Sequence, residues 1–298
     1  MGEECTREGS TSHCAFRTLI DPMHLFGSLA ALVAVSLVAS LPSPATLGVN
    51  DRVVDGPAGV HDASTTKMSA PPAGFGKWSP AKPGDSVSPC PFLNTMANYG
   101  IIPRTGITQD KLKSALEIGK VDWAFQKLLT GSTTMNLGTV QDGVQVVSLA
   151  NLSHHNVIEH DVSLSRRDAY TGDQTTLVPA FIEQFVALSK DGKYLTEADL
   201  VHFRELREAD SRATNPQISY GQYAKLFAWT ETSFVDIMFR DETGRMRVDW
   251  IKEFFLKEKF PFELGWNFRP VSFAEVAWIS ARLRSGFARH ATLPDGTD

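Results

Sequence analysis

Three short segments of this chain carry residues that could do chemistry. The first is Ser88-Pro89-Cys90-Pro91, where Cys90 stands directly before a helical pattern that runs to Gly100. The other cysteines, Cys5 and Cys14, lie far upstream, so Cys90 has no disulfide partner after residue 14. Pro91 suits the first helical position, where a missing N–H costs nothing. The sulfur then sits at the positive end of a helix, where free N–H groups and the macrodipole favour a thiolate. Such a thiolate suits a soft or borderline metal such as iron. The alternative is an inert, packed cysteine.

The second segment is Glu159-His160-Asp161-Val162-Ser163. Glu and Ser four residues apart can present oxygens to one side of a turn, with a backbone carbonyl between them. Oxygen donors of this kind suit Mg²⁺, Mn²⁺ or Ca²⁺; the plainer reading is an acidic loop. The third is Glu231, whose helical neighbours are Phe227, Ala228, Phe234 and Val235. A carboxylate on an apolar face is costly unless paired or protonated, which makes Glu231 a candidate general acid–base group. The alternative is a glutamate at the polar edge of an amphipathic helix.

The elements that must position these residues read as helices. Thr108 can cap a helix to Ile118, and a shorter one covers 122–129. An amphipathic stretch spans 177–190. Thr196 with Asp199 opens a helix that must end before Asn215-Pro216. Further helices cover 220–239 and 249–257, and Ser272 with Glu275 opens a last one to Arg289. A short strand is expected at Val144–Val147. Strand-like alternation is otherwise scarce, so the predicted fold is mostly α, a single helical domain over 87–298 with few or no strands.

The N-terminal part differs. Residues 25–41 form an apolar and small-residue run, slightly short for a membrane span and long for a signal core. Residues 1–45 are read as a secretory signal, with a membrane anchor through 25–41 as the alternative. Residues 46–86, rich in Pro, Gly, Ser and Thr, are read as a linker or pro-segment. Asn151-Leu152-Ser153 is the glycosylation sequon, used only on secretion. A net charge of −5 argues against nucleic acid as a partner.

Taken in order, Pro89-Cys90-Pro91-x-x-Asn94-x-x-Ala97-Asn98-x-Gly100, Glu159-His160-Asp161-x-Ser163, Arg247-Val248-Asp249-Trp250 and Phe260-Pro261-Phe262-Glu263-Leu264-Gly265-Trp266 resemble the heme-thiolate peroxidases. These include chloroperoxidase and the unspecific peroxygenases of fungi. The resemblance spans about 180 residues and implies heme b with Cys90 as the axial thiolate. It implies a divalent cation, Mg²⁺ or Mn²⁺, held by Glu159, Ser163 and the carbonyl of His160. Glu231 matches the catalytic glutamate, with His160 and Asp161 as the pair that orients it. The central histidine of the Glu-His-Asp motif is shared with the shorter members. The longer ones pair their glutamate with an arginine, and no arginine stands one or two turns before Glu231. Arg166 or Arg167 would face a heme propionate or form a solvated basic face. Phe92, Phe227 and Phe234 are candidate pocket residues.

The resemblance implies an enzyme that uses hydrogen peroxide to oxidise or oxygenate a small organic molecule, compatible with a fungal secondary-metabolite pathway. A heme-binding protein without turnover and a cofactor-free interaction protein are the alternatives.

Overall fold

The computed structural model describes residues 70–290, with side chains to 286. The signal or anchor reading of 1–45, with its 25–41 run, falls outside the described residues, as does most of the expected linker. Among the described residues no helix is long and apolar enough to cross a membrane.

The helices begin where local chemistry dictates. Cys90 is the N-cap of α1 (Pro91–Asn98), with proline in its first turn. Thr108 accepts from Lys111 N–H and opens α2 (Gln109–Ile118), and Asp122 does the same for α3 (Trp123–Leu129) through Phe125 N–H. A single turn, α4 (Ser132–Met135), follows. After α5 (Pro179–Ala187) comes α6 (Glu197–Thr214), which starts with a complete capping box between Thr196 and Asp199. Then come α7 (Gln222–Phe239), α8 (Val248–Lys257) and α9 (Phe273–His290), the last opened by Ser272 accepting from Glu275 N–H. The predicted mostly-α class is the observed one.

Strands are short. β1 (Ile107–Thr108), β2 (Thr139–Gln141) and β3 (Val144–Val147) form an antiparallel sheet in the order β1-β3-β2. Gln141 pairs with Val144 across Asp142-Gly143, both at positive φ (49° and 78°), a two-residue hairpin. β4 (Tyr194–Leu195) and β5 (Met246–Arg247) form a two-stranded ladder that ties the start of α6 to the start of α8.

The core lies where α9 packs on α7 and α6, and where α5 packs on α8. An aromatic group supports the Cys90 helix from below. Tyr99 stacks on Phe260 at 5.9 Å, and Phe260 lies parallel to Trp266 at 5.4 Å. Phe75 joins it, edge-on to Tyr99 at 5.2 Å. Trp78 Nε1–H donates to Glu258 O, and Gly76 and Ser79 N–H groups bond to the end of α1. The expected linker is therefore too long at its C-terminal end: two aromatic anchors place residues 75–79 on the core.

Asn94 fixes the loop that carries Cys90. Its Oδ1 accepts from Ser88 N–H (2.8 Å), and its Nδ2 donates to Ser88 O (2.9 Å) and to Glu258 Oε1 (2.8 Å). Glu258 sits at φ 46° just after α8 and also takes Arg166 Nη2 at 2.7 Å. Truncating a buried amide that closes several bonds leaves its partners unsatisfied. Asn94→Ala should therefore lower unfolding free energy by about 2–4 kcal/mol in urea denaturation. A loss within about 0.5 kcal/mol would mean that Asn94 does not hold the loop.

Candidate active site

A cavity of about 270 Å³ is lined by Cys90 from the start of α1, by Glu159, His160, Ser163 and Arg166 from one loop, and by Glu231 from α7. Phe92, Phe227 and Phe234 all lie on its wall, as expected, and the remaining lining is largely apolar. The three sequence segments thus meet around one space.

Cys90 makes no full capping hydrogen bond with its sulfur. Burial pushes its pKa up. The N–H groups of Leu93 and Phe92 and the Arg166 guanidinium pull the other way without overcoming it. These donors and the cation are what a bound thiolate needs. Arg166 is almost wholly buried and paired with Glu258, while its Nε has no partner. Arg167 is exposed, so of the two arginines Arg166 is the one at the cavity.

The loop from Glu159 to Asp168 is built around a strained residue. Val162 is buried at φ 67°, a conformation that a β-branched side chain rarely adopts. Its N–H donates to Asp168 Oδ1 (2.9 Å), and its carbonyl accepts from Arg204 Nη1. One face of α6 grips the whole loop: Arg204 at Val162 O, Arg207 at Ser163 O (3.1 Å), and Ser211 at Asp168 Oδ1 (3.0 Å). Beyond the helix, Asn215 reaches both Asp161 and Asp168.

Glu231 is bound to this loop and to Arg204. Its carboxylate accepts from Ser163 Oγ (3.1 Å), from Leu164 N–H (3.2 Å) and from Arg204 Nη2 (2.7 Å). Arg204 is fully buried and also donates to Ala228 O (2.9 Å) and Thr232 Oγ1 (2.9 Å). Burial alone would raise the Glu231 pKa. The Arg204 charge and hydrogen bond, with the Leu164 N–H, reverse this and hold the carboxyl below its ordinary value.

His160 Nε2 stands 4.0 Å from Glu231 Oε2. Its Nδ1 lies 2.8 Å from Asp161 O, and a carbonyl can only accept, so Nδ1 carries the proton. Burial lowers the His160 pKa, which favours the neutral ring with Nε2 free to accept a proton from the Glu231 side. Asp161 thus meets His160 through its carbonyl oxygen. The Asp161 carboxylate is buried and takes Ala169 N–H (3.1 Å), Ser219 N–H (2.8 Å) and Asn215 Nδ2 (3.2 Å). Asp161 is a positioning residue.

Glu159 is buried, and burial raises its pKa against the opposing pull of His155. Its Oε1 has no hydrogen-bond partner. Of the expected cation ligands, Glu159 presents an open oxygen, while the Ser163 hydroxyl is turned toward Glu231.

Arg204 is the residue that sequence reasoning missed. No arginine precedes Glu231 by one or two turns on its own helix, and the partner comes from α6, 27 residues upstream. The available signal was the spacing of Arg204, Arg207 and Ser211, one stripe of α6, which reads as solvated when its partner loop is unknown.

The pattern of the family described as "Peroxidase, family 2" matches residues 76–271. The chain is 28% identical to an aromatic peroxygenase of Cyclocybe aegerita over 276 residues, covering 80% of this chain and 73% of that protein. It is 26% identical to a chloroperoxidase of Leptoxyphium fumago, covering 72% of this chain and 64% of that one. It is 28% identical to a dothistromin biosynthesis peroxidase of Dothistroma septosporum, covering 56% and 45%. The chain belongs to peroxidase family 2, the heme-thiolate peroxidases, which are oxidoreductases.

The role of Arg204 can be tested by pH. Only an ionised Glu231 can accept a proton, so as an acid–base group it would lose activity as pH drops through its lowered pKa. Removing the cation in Arg204→Met should raise that pKa and move the acid limb of peroxide turnover to higher pH. Arg204→Lys, which keeps the charge, should move it less. An unmoved acid limb in Arg204→Met would show that Arg204 does not set the state of Glu231.

Proposed function

We propose that this protein is a peroxide-dependent heme-thiolate peroxygenase or peroxidase acting on a small apolar organic molecule. The observation that carries the reading is that Cys90, His160 and Glu231 all line one apolar cavity. The donor set suits heme: a thiol at a helix N-terminus, apolar walls for a flat macrocycle, and a buried Arg166 Nε with no partner to meet an anionic propionate. Cys90 would hold the iron and Arg166 a propionate. Bound heme supplies the redox chemistry that cleaves the O–O bond, and a thiolate ligand favours that cleavage.

The residues of the chain handle the protons. Glu231, kept ionised by Arg204, accepts the proton of incoming hydrogen peroxide and returns it to the departing oxygen as water forms. Ser163 Oγ and Leu164 N–H hold the carboxylate in place for both steps. His160, with Nε2 free, offers a neighbouring proton acceptor. A carboxylate shuttle is compact and leaves room between Phe92, Phe227 and Phe234 for an organic substrate.

The open oxygen of Glu159 supports a divalent cation, Mg²⁺ or Mn²⁺, which Glu159 would hold. Entry into the secretory pathway, with Asn151 as a glycosylation site, accords with the apolar run at 25–41. Similarity to the dothistromin biosynthesis peroxidase supports a place in secondary metabolism.

The test is the absorption spectrum of the heme-loaded protein, reduced and exposed to carbon monoxide. A strongly red-shifted Soret band that Cys90→Ala abolishes is the expected result. A conventional Soret position in the wild type would contradict thiolate ligation.

A further inference from the structure

His155 stands four residues before Glu159, on the turn that feeds the site loop. Asn156, at φ 63°, reverses the chain, and its N–H donates to Glu159 O at 3.1 Å. His155 and Glu159 meet there as an isolated bridge. The turn lays the imidazole against the carboxylate, with His155 Nδ1 2.7 Å from Glu159 Oε2. The other ring nitrogen, Nε2, faces Asp161 Oδ2 at 3.9 Å. Donor atoms of His155, Glu159 and Asp161 all lie within 4.8 Å of one another.

The two oxygens of Glu159 are thereby made unequal. Oε2 is occupied by the imidazole. Oε1 is buried, in a residue only 7% exposed, and nothing donates to it. A buried carboxylate oxygen with no donor is costly and points to a missing ligand.

We propose that His155 is a positioning residue for the cation held by Glu159. Its Nδ1–H pins Oε2, so that Oε1 alone is presented to the ion. The proposal rests on the cation assignment made above. Nδ1, which donates its proton to the carboxylate, cannot also coordinate a metal, and Nε2 faces Asp161 Oδ2 at 3.9 Å, so His155 is placed behind Glu159 rather than in the ligand set. Asp161, which faces Nε2, is fixed by Ser219 N–H, Ala169 N–H and Asn215. Partners of this kind set ligand orientation and are worth about 10–100-fold in metal affinity.

The experiment is Mn²⁺ titration of the heme-loaded full chain, grown with ¹⁵N-histidine and followed by high-field pulsed EPR. The wild type should bind Mn²⁺ with no ¹⁵N coupling of a directly coordinated imidazole. His155→Ala should bind it about 10–100-fold more weakly, with an unchanged heme spectrum as the control for folding. His155→Gln, whose amide can still donate to Oε2, should recover part of the loss. Unchanged Mn²⁺ affinity in His155→Ala would overturn the proposal. Strong ¹⁵N coupling in the wild type would overturn it too, by making His155 a ligand. A wild type that binds no Mn²⁺ would remove the cation assignment itself, and the positioning role with it.

Discussion

A fully buried guanidinium organises this active site. Taking a cation out of water costs several kcal/mol unless an opposite charge and good acceptors replace the lost hydration. Arg204 finds them in Glu231, in the carbonyls of Val162 and Ala228, and in Thr232 Oγ1. Two of these partners belong to α7 besides Glu231 itself, and one belongs to the loop that carries His160 and Ser163. The charge therefore cannot be satisfied unless helix and loop come together. The same contact holds Val162 in a strained conformation, which the packing of α6 over-determines.

The loop also reaches the thiol. Six residues separate Glu159 from Arg166, and both line the cavity. Ser163 and Leu164 hold Glu231, while Arg166 binds Glu258, which in turn binds Asn94 beside Cys90. One segment thus registers Glu231 against the sulfur. A shift of that segment would disturb both at once, which explains why so many buried polar side chains are devoted to a ten-residue loop.

Much of this was legible before any coordinates. Thr108, Asp122, Thr196 and Ser272 announce their helices because capping is a local interaction between neighbours in sequence. Pro91 places Cys90 at a helix start for the same reason. The cavity members Cys90, Glu159, His160, Ser163 and Glu231 followed from motif order. Long-range pairing was not legible. The Arg204–Glu231 contact joins two helices, and nothing in either window indicates the other. The contact of Asp161's carbonyl with His160 depends on loop geometry set by distant Asn215 and Ser219. The start of the packed region was misplaced because Phe75 and Trp78 lie in a Pro- and Gly-rich stretch whose composition hides two anchors.

The central claim is that Glu231 moves the proton that lets peroxide react at a thiolate-bound heme. The most direct measurement is rapid mixing of heme-loaded wild type and Glu231→Gln with hydrogen peroxide, following the first spectral change. The account predicts a rate constant for peroxide about 10²–10⁴-fold lower in the variant, with its carbon monoxide spectrum unchanged. Equal rates in the two proteins would contradict it and assign the proton transfer to another group.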